Sequence, residues 1–129
     1  MRKYAYWKIT PIAGKPLDAD EAKGEGFDLQ AELAEDSLVL KLRGRLDTLT
    51  APGLLAFYEK TAGENSIHEV TVDCENLDYI SSAGLRVLLI MKKQNERGVT
   101  VKKINETVKE ILEQTGFDSI LNVEEEPSA

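Results

Sequence analysis

Two neighbouring stretches of the chain alternate apolar and polar residues with a period of two. In FDLQAEL, residues 27–33, Phe27, Leu29, Ala31 and Leu33 fall on one side and Asp28, Gln30 and Glu32 on the other. After the polar turn AEDS, Leu38, Leu40 and Leu42 repeat the alternation against Val39, Lys41 and Arg43. This predicts a hairpin with one buried face. RGRLD follows, and Asp47 ends the strand run.

The period then changes. In TLTAPGLLAFYEKTAG, Ala51, Leu54, Leu55 and Tyr58 recur at helical spacing on one face. Thr50 is the expected cap, Pro52 sits in the first turn, and Gly63 is the expected stop. VTVDC, residues 70–74, reads as a short apolar strand, so the strand–helix–strand order predicts parallel pairing through a right-handed crossover. A helix from about Ser82 to Glu96 follows, stopped by Gly98. VTVKKI is another strand. ETVKEILEQTG is a helix, with Val108, Ile111, Leu112 and Thr115 on one face and Gly116 as its stop, and SILNV is a last short strand.

The expected fold is therefore one α/β domain, a mixed β-sheet with helices packed against it in the order ββαβαβαβ. Residues 27–126 form that domain, 127–129 a tail, and 1–26 an amino-terminal arm. Within the arm, TPIAGKPLDADEAKGEG (residues 10–26) reads as an irregular linker, and YAYWKI (residues 4–9) is a candidate extra edge strand. There are no internal repeats.

Composition adds mostly exclusions. The 129 residues carry a formal charge of −7, with +1 on residues 1–26 and −8 on the remainder. Without a basic cluster to meet phosphates, direct nucleic-acid binding is not expected. No apolar run approaches the ~20 residues that cross a bilayer, so no membrane insertion is expected. Cys74 is the single cysteine, and MRKYAYWKITP lacks the apolar core of a secretory signal. A cytoplasmic location is the expectation.

The usual catalytic and phosphate-binding patterns, G-x-S-x-G, G-x-G-x-x-G and G-x-x-x-x-G-K, do not occur. One His and one Cys serve metal ligation poorly. His68, in the polar connection SIHEV, reads as a surface histidine, and Cys74 as a small core hydrophobe. Asp47, Asp73 and Asp78 fall near predicted strand ends, where turn capping is commoner than a metal cluster. No catalytic residue, cofactor or metal is assigned, and the chain is not expected to be an enzyme.

LDYISSAGLRVLLIMKKQ, residues 77–94, is the informative stretch. Serine is a preferred N-cap, which accounts for one of Ser81 and Ser82. A glycine in the first turn costs ~1 kcal/mol against alanine, and Gly84 needs a reason such as close approach of a neighbour. Leu85, Leu88 and Leu89 suffice for a core stripe, leaving Val87, Ile90 and Met91 either for a partner-facing patch or for deeper burial. A hydroxyl at a helix N-terminus also suits phosphorylation, because unpaired N–H groups and the helix dipole stabilise the dianion. The phosphate would then expel a partner docked on the small residues around it.

Three blocks, LRGRLDTLTAPGL, VTVDCENLDYISSAGLRVLL and LEQTGFDSILNV, resemble in order and spacing the STAS domain of anti-sigma factor antagonists over residues 27–123. The resemblance implies that the unmodified protein binds an anti-sigma factor, itself a serine kinase, and so releases the sigma factor. Phosphorylation by that kinase switches it off, and a serine phosphatase restores it. The family usually carries Asp-Ser-Ser/Thr-Gly at the helix start, which places the acceptor at Ser82, with Ser81 as second choice. Here Ser81 stands at the aspartate position and Ala83 at the following hydroxyl. Ser81, Ser82, Ala83, Gly84, Arg86, Val87 and Ile90 are the expected partner-binding residues. The alternatives are a STAS domain that is never phosphorylated, serving as a scaffold or as a subunit of another complex such as a lipid-transport system, and a small nucleotide-binding module.

Overall fold

A computed structural model describes residues 15–24 and 26–124. The candidate strand at residues 4–9 and the tail at 127–129 lie outside the described residues. Six strands form one sheet in sequence order: β1 (Lys15–Leu17), β2 (Phe27–Ala34), β3 (Ser37–Leu46), β4 (Glu69–Ile80), β5 (Val99–Lys102) and β6 (Asn122–Glu124). The first two pairings are antiparallel and the remaining three parallel. Three helices connect the parallel strands: α1 (Ala51–Glu64), α2 (Ser82–Gln94) and α3 (Glu106–Thr115). The mixed α/β architecture agrees with the expected ββαβαβαβ order, with β1 added in front.

The hairpin follows its alternation. Leu33 pairs with Leu38 and Ala34 with Ser37 across the turn Glu35–Asp36. Phe27, Leu29, Ala31, Leu38, Leu40 and Leu42 enter one core together with Leu54, Tyr58, Val70, Val72, Leu88, Met91, Val101, Val108 and Leu112. Each such large side chain contributes roughly 1.5–3 kcal/mol when removed from water. Val39 and Ala34 are buried too but stand outside this cluster, on the other side of the sheet.

Several boundaries differ from the sequence pattern. Lys15–Leu17, within the stretch read as linker, pairs with β2, and a 3-10 turn at Asp20–Ala22 buries Ala19 and Ala22. That turn lies so close to α1 that a Cβ on Gly53 would stand 2.9 Å from the Ala22 carbonyl oxygen. β4 does not end at Cys74 but continues to Ile80. Its register against β3 slips between Lys41 and Arg43 and again between Gly44 and Arg45. Such bulges break the period of two, so ENLDY does not look like a strand in sequence. Asp73 is consequently in mid-strand and buried.

Both ends of α1 and the carboxyl end of α2 are held by groups other than those expected. Thr50 does not cap α1 through its hydroxyl. Its Oγ1 donates to the Arg45 carbonyl at 2.8 Å and accepts from Asp47 N at 2.9 Å. Asp47 Oδ1 takes the free donors of the turn, Leu49 N at 3.0 Å and Thr50 N at 3.2 Å. Gly63 lies inside α1, which closes where the Asn65 amide donates to the Thr61 carbonyl at 3.0 Å. Asn95 closes α2 in the same way, donating to Met91 O at 2.7 Å, before the expected stop at Gly98 is reached. Gly116 ends α3 as expected, at φ 82° in the left-handed region that glycine occupies without strain.

Candidate functional site

β3 and β4 end side by side, and the chain turns from β4 directly into α2. Leu46 pairs with Ile80, and the next amide, Ser81 N, donates to the Leu46 carbonyl at 2.9 Å. Ser81 is extended (φ −96°, ψ 178°), its carbonyl accepts from Leu85 N, and its Oγ accepts from Gly84 N at 3.5 Å. Ser81 is therefore the N-cap. Ser82 is the first helical residue and is exposed. Among the described residues its hydroxyl has no hydrogen-bond partner.

Gly84 faces the protein. A Cβ there would stand 2.8 Å from both Ile80 Cγ1 and Leu46 Cγ, which is closer than packed carbons tolerate. This close approach explains a glycine in a first turn. It also sets the rotation of the helix, so Gly84, Val87, Leu88 and Met91 form the buried stripe at i, i+3, i+4 and i+7, with Leu85 beside them. Gly84 and Val87 were expected on the partner-facing patch and belong instead to the interior, as does Met91. In the amino-terminal half of α2 the surface consists of Ser82 and Arg86, both exposed, with Ala83, Leu89 and Ile90 half-buried beside them, and Lys92, Lys93 and Gln94 are exposed at its far end.

At the far end of α2 the polar groups are mutually occupied. The Asn95 amide donates to Tyr58 Oη at 2.9 Å, and Tyr58 Oη donates to Gln94 Oε1 at 2.9 Å. Burial raises the Tyr58 pKa, partly offset by the bond from Asn95. Close by, His68 lies between two groups that sequence reasoning did not connect with it. Its Nε2 is 3.3 Å from Ser66 Oγ and its Nδ1 2.9 Å from Glu96 Oε1. The S-x-H spacing was the available signal, whereas Glu96 comes from the far side of α2. The chain of three is open to solvent, and Glu96 is 75% exposed, so no walls hold a substrate or exclude water there.

Asp47, Asp73 and Asp78 do not converge. Asp47 is spent on its turn, Asp73 Oδ1 accepts from Glu75 N at 3.0 Å with Lys103 Nζ 3.8 Å from Oδ2, and Asp78 is exposed. Among the described residues no group of three His, Cys, Asp or Glu could hold a metal ion. A shallow, mixed-charge cavity of about 160 Å³ between Asp28, Lys41, Arg43, Asp73 and Glu75 lies across β2, β3 and β4, away from Ser82. Burial pushes the Cys74 thiol up to about 12, so it remains a neutral core group. No helix among the described residues is long and apolar enough to cross a membrane.

The sequence profile of the STAS domain matches residues 28–128. The chain belongs to the STAS domain family. A Bordetella bronchiseptica protein, BtrV, described as a candidate anti-sigma factor antagonist, is 32% identical over 98 residues, covering 74% of this STAS chain and 84% of its own. The solved structure of the anti-sigma factor antagonist SpoIIAA in its unphosphorylated form superposes with a TM-score of 0.69 at 17% identity, over 78% of this chain and 90% of that one. An anti-sigma factor antagonist from Mycobacterium paratuberculosis gives 0.66 at 20% identity, over 75% and 84%. These structural likenesses establish the STAS fold, and among the relatives named here the antagonist role recurs.

Proposed function

We propose that this STAS domain is an anti-sigma factor antagonist whose binding is switched by phosphorylation of Ser82. Unmodified, it docks the start of α2 against an anti-sigma factor that is a serine kinase, and the sigma factor is released. The kinase transfers the γ-phosphoryl group of ATP to Ser82 Oγ: the bond from the terminal phosphorus to the bridging oxygen breaks, ADP leaves, and the hydroxyl gives up its proton. A serine phosphatase hydrolyses the ester and restores the binding form.

One observation carries the choice of Ser82: it is exposed with its hydroxyl unengaged, while the Ser81 hydroxyl is turned back to cap Gly84 N. A phosphate at the first helical residue adds about −1.5 to −2 charges where the helix dipole favours them, so it changes the surface without opposing the fold. Ser81 in the place of the family's aspartate favours a second reading, a STAS scaffold that is never phosphorylated. Incubation with ATP and each purified serine-kinase anti-sigma factor of the same genome, followed by intact mass and site mapping, separates the two. The expected result is a single added phosphoryl group on Ser82, retained in Ser81→Ala and lost in Ser82→Ala. No phosphate on either serine with any such kinase supports the scaffold.

A further inference from the structure

Among the described residues two large apolar side chains are exposed, and they are unequal: Ile120 at 37% and Leu49 at 88%. Leu49 is not on a loose loop. Its amide donates to Asp47 Oδ1, and the turn around it is tied by Thr50 Oγ1 to the Arg45 carbonyl. The turn needs only the main chain of residue 49, so a polar side chain would serve it equally well and avoid the cost of wet apolar surface. The preceding strand residue, Leu46, bonds Ser81 N and packs under Gly84, which makes this turn the neighbour of the α2 start.

Charge adds an independent observation. In a chain of net −7, α2 carries Arg86, Lys92 and Lys93 and no carboxylate, whereas α1 and α3 each have an acidic excess. Lys92 and Lys93 lie in the last turn, where the helix dipole favours cations. Arg86 is not explained in that way. It is exposed one turn after Ser82 on the same face, and among the described residues it forms no ion pair.

We infer that Leu49 and Arg86 are the two anchors of the docking surface that includes Ser82. The inference rests on the antagonist reading and names the chemistry of the partner's face: an apolar pocket that takes Leu49, rimmed by carboxylates that meet Arg86. A surface of that kind suits the basic outer side of α2 and is repelled by the rest of this acidic chain. Phosphorylation then acts twice. The phosphate repels the partner's carboxylates, and it lies four residues before Arg86, where the guanidinium can fold onto it and leave the partner.

The test is calorimetric titration of the full chain with the purified serine-kinase anti-sigma factors of the same genome, without ATP. Leu49→Ser and Arg86→Glu are each expected to weaken binding by about tenfold or more, while Arg86→Lys retains most of it. The Arg86→Glu effect shrinks as salt rises. Lys109→Glu on α3 is the control and changes binding less than about twofold. Leu49 and Arg86 are exposed, so unchanged melting temperatures verify that the variants fold. Failure of the wild type to bind any of these kinases overturns the antagonist reading and this surface with it. Wild-type binding combined with wild-type affinity in Leu49→Ser or in Arg86→Glu overturns the two-anchor assignment and leaves the antagonist reading standing. Phosphorus NMR of the modified protein checks the capture: the second phosphate pKa is lower in wild type than in Arg86→Gln, and equal values overturn it.

Discussion

The two ends of α2 carry similar amounts of polar chemistry and use it in opposite ways. At the carboxyl end, Tyr58, Gln94 and Asn95 satisfy one another, His68 is bracketed by Ser66 and Glu96, and Arg97 reaches Asp36 at 2.7 Å and Glu69 at 3.7 Å. At the amino end one hydroxyl caps the helix, and the next hydroxyl, an arginine and a leucine are turned to solvent. Pairing makes the first end a clamp between α1, α2 and the hairpin turn. Groups left unpaired on a rigid frame leave the second end open to solvent, which is what the proposed docking surface requires. A Ser–His–Glu chain at the clamp looks more like chemistry in a residue inventory, yet its solvation and its mutual satisfaction argue for structure.

The contrast is broken most severely by charge at Ser82. Ser82→Asp is expected to abolish antagonist binding, by about 100-fold or more, while its melting temperature stays within a few degrees of wild type, because an acidic group at a helix start is tolerated. Ser82→Ala keeps both binding and stability. Titration calorimetry with the kinase, paired with thermal melts, decides it. An aspartate variant that is folded and binds as tightly as wild type would falsify exclusion by charge.

Stability effects should be larger at the interior face of the same turn than on its surface. Gly84→Ala forces a carbon to 2.8 Å from Leu46 and Ile80, both buried in the core with little room to shift, and is expected to cost about 1–3 kcal/mol in urea unfolding. At the clamp, Tyr58→Phe deprives the buried Asn95 amide of an acceptor and should cost about 1–2 kcal/mol. Ser81→Ala removes a cap bond that is long, at 3.5 Å, and should cost about 0.5 kcal/mol. If Ser81→Ala proved as damaging as Gly84→Ala, the view that the turn is held by packing against Leu46 rather than by its cap would be wrong.

How far these differences could be read from sequence depended on the range of the interactions. The β2–β3 alternation and the left-handed stop at Gly116 are local, and both appear as written in the residues. The extension of β4 was hidden because bulges opposite Arg43 and Arg45 carry Glu75, Asn76 and Asp78 out of phase. β1 was hidden because three residues containing a proline carry no period; pairing with the edge of β2 defines it. At the site, the small residues at the start of α2 marked the stretch, and the family motif pointed to Ser82 within it. The close approach at Gly84 was foreseeable, but Val87 and Met91 suited either a patch or burial, since the rotation of α2 is fixed by Leu46 and Ile80 across the sheet. Leu49 escaped notice for the same reason: an isolated leucine in a turn gains meaning only when its exposure and its neighbour are known.

The smallest effect sharpens the clamp side and depends on pH. Arg97 beside Asp36 holds that carboxyl below its ordinary value of 3.8, chiefly through their hydrogen bond. A depressed folded pKa means that the contribution is fully present above the unfolded value, near pH 4, and is lost as pH falls through the folded one. Both partners are nearly half exposed, so solvent screens most of it. Asp36→Asn should therefore unfold slightly earlier in urea than wild type at pH 7, and the two proteins should converge as pH is lowered through the carboxylate range. Chemical denaturation at several pH values, at low and at high salt, measures this directly. A gap that stayed constant as pH was lowered, at low and at high salt alike, would assign the difference to the turn geometry of Glu35–Asp36 and remove the ion pair from the clamp.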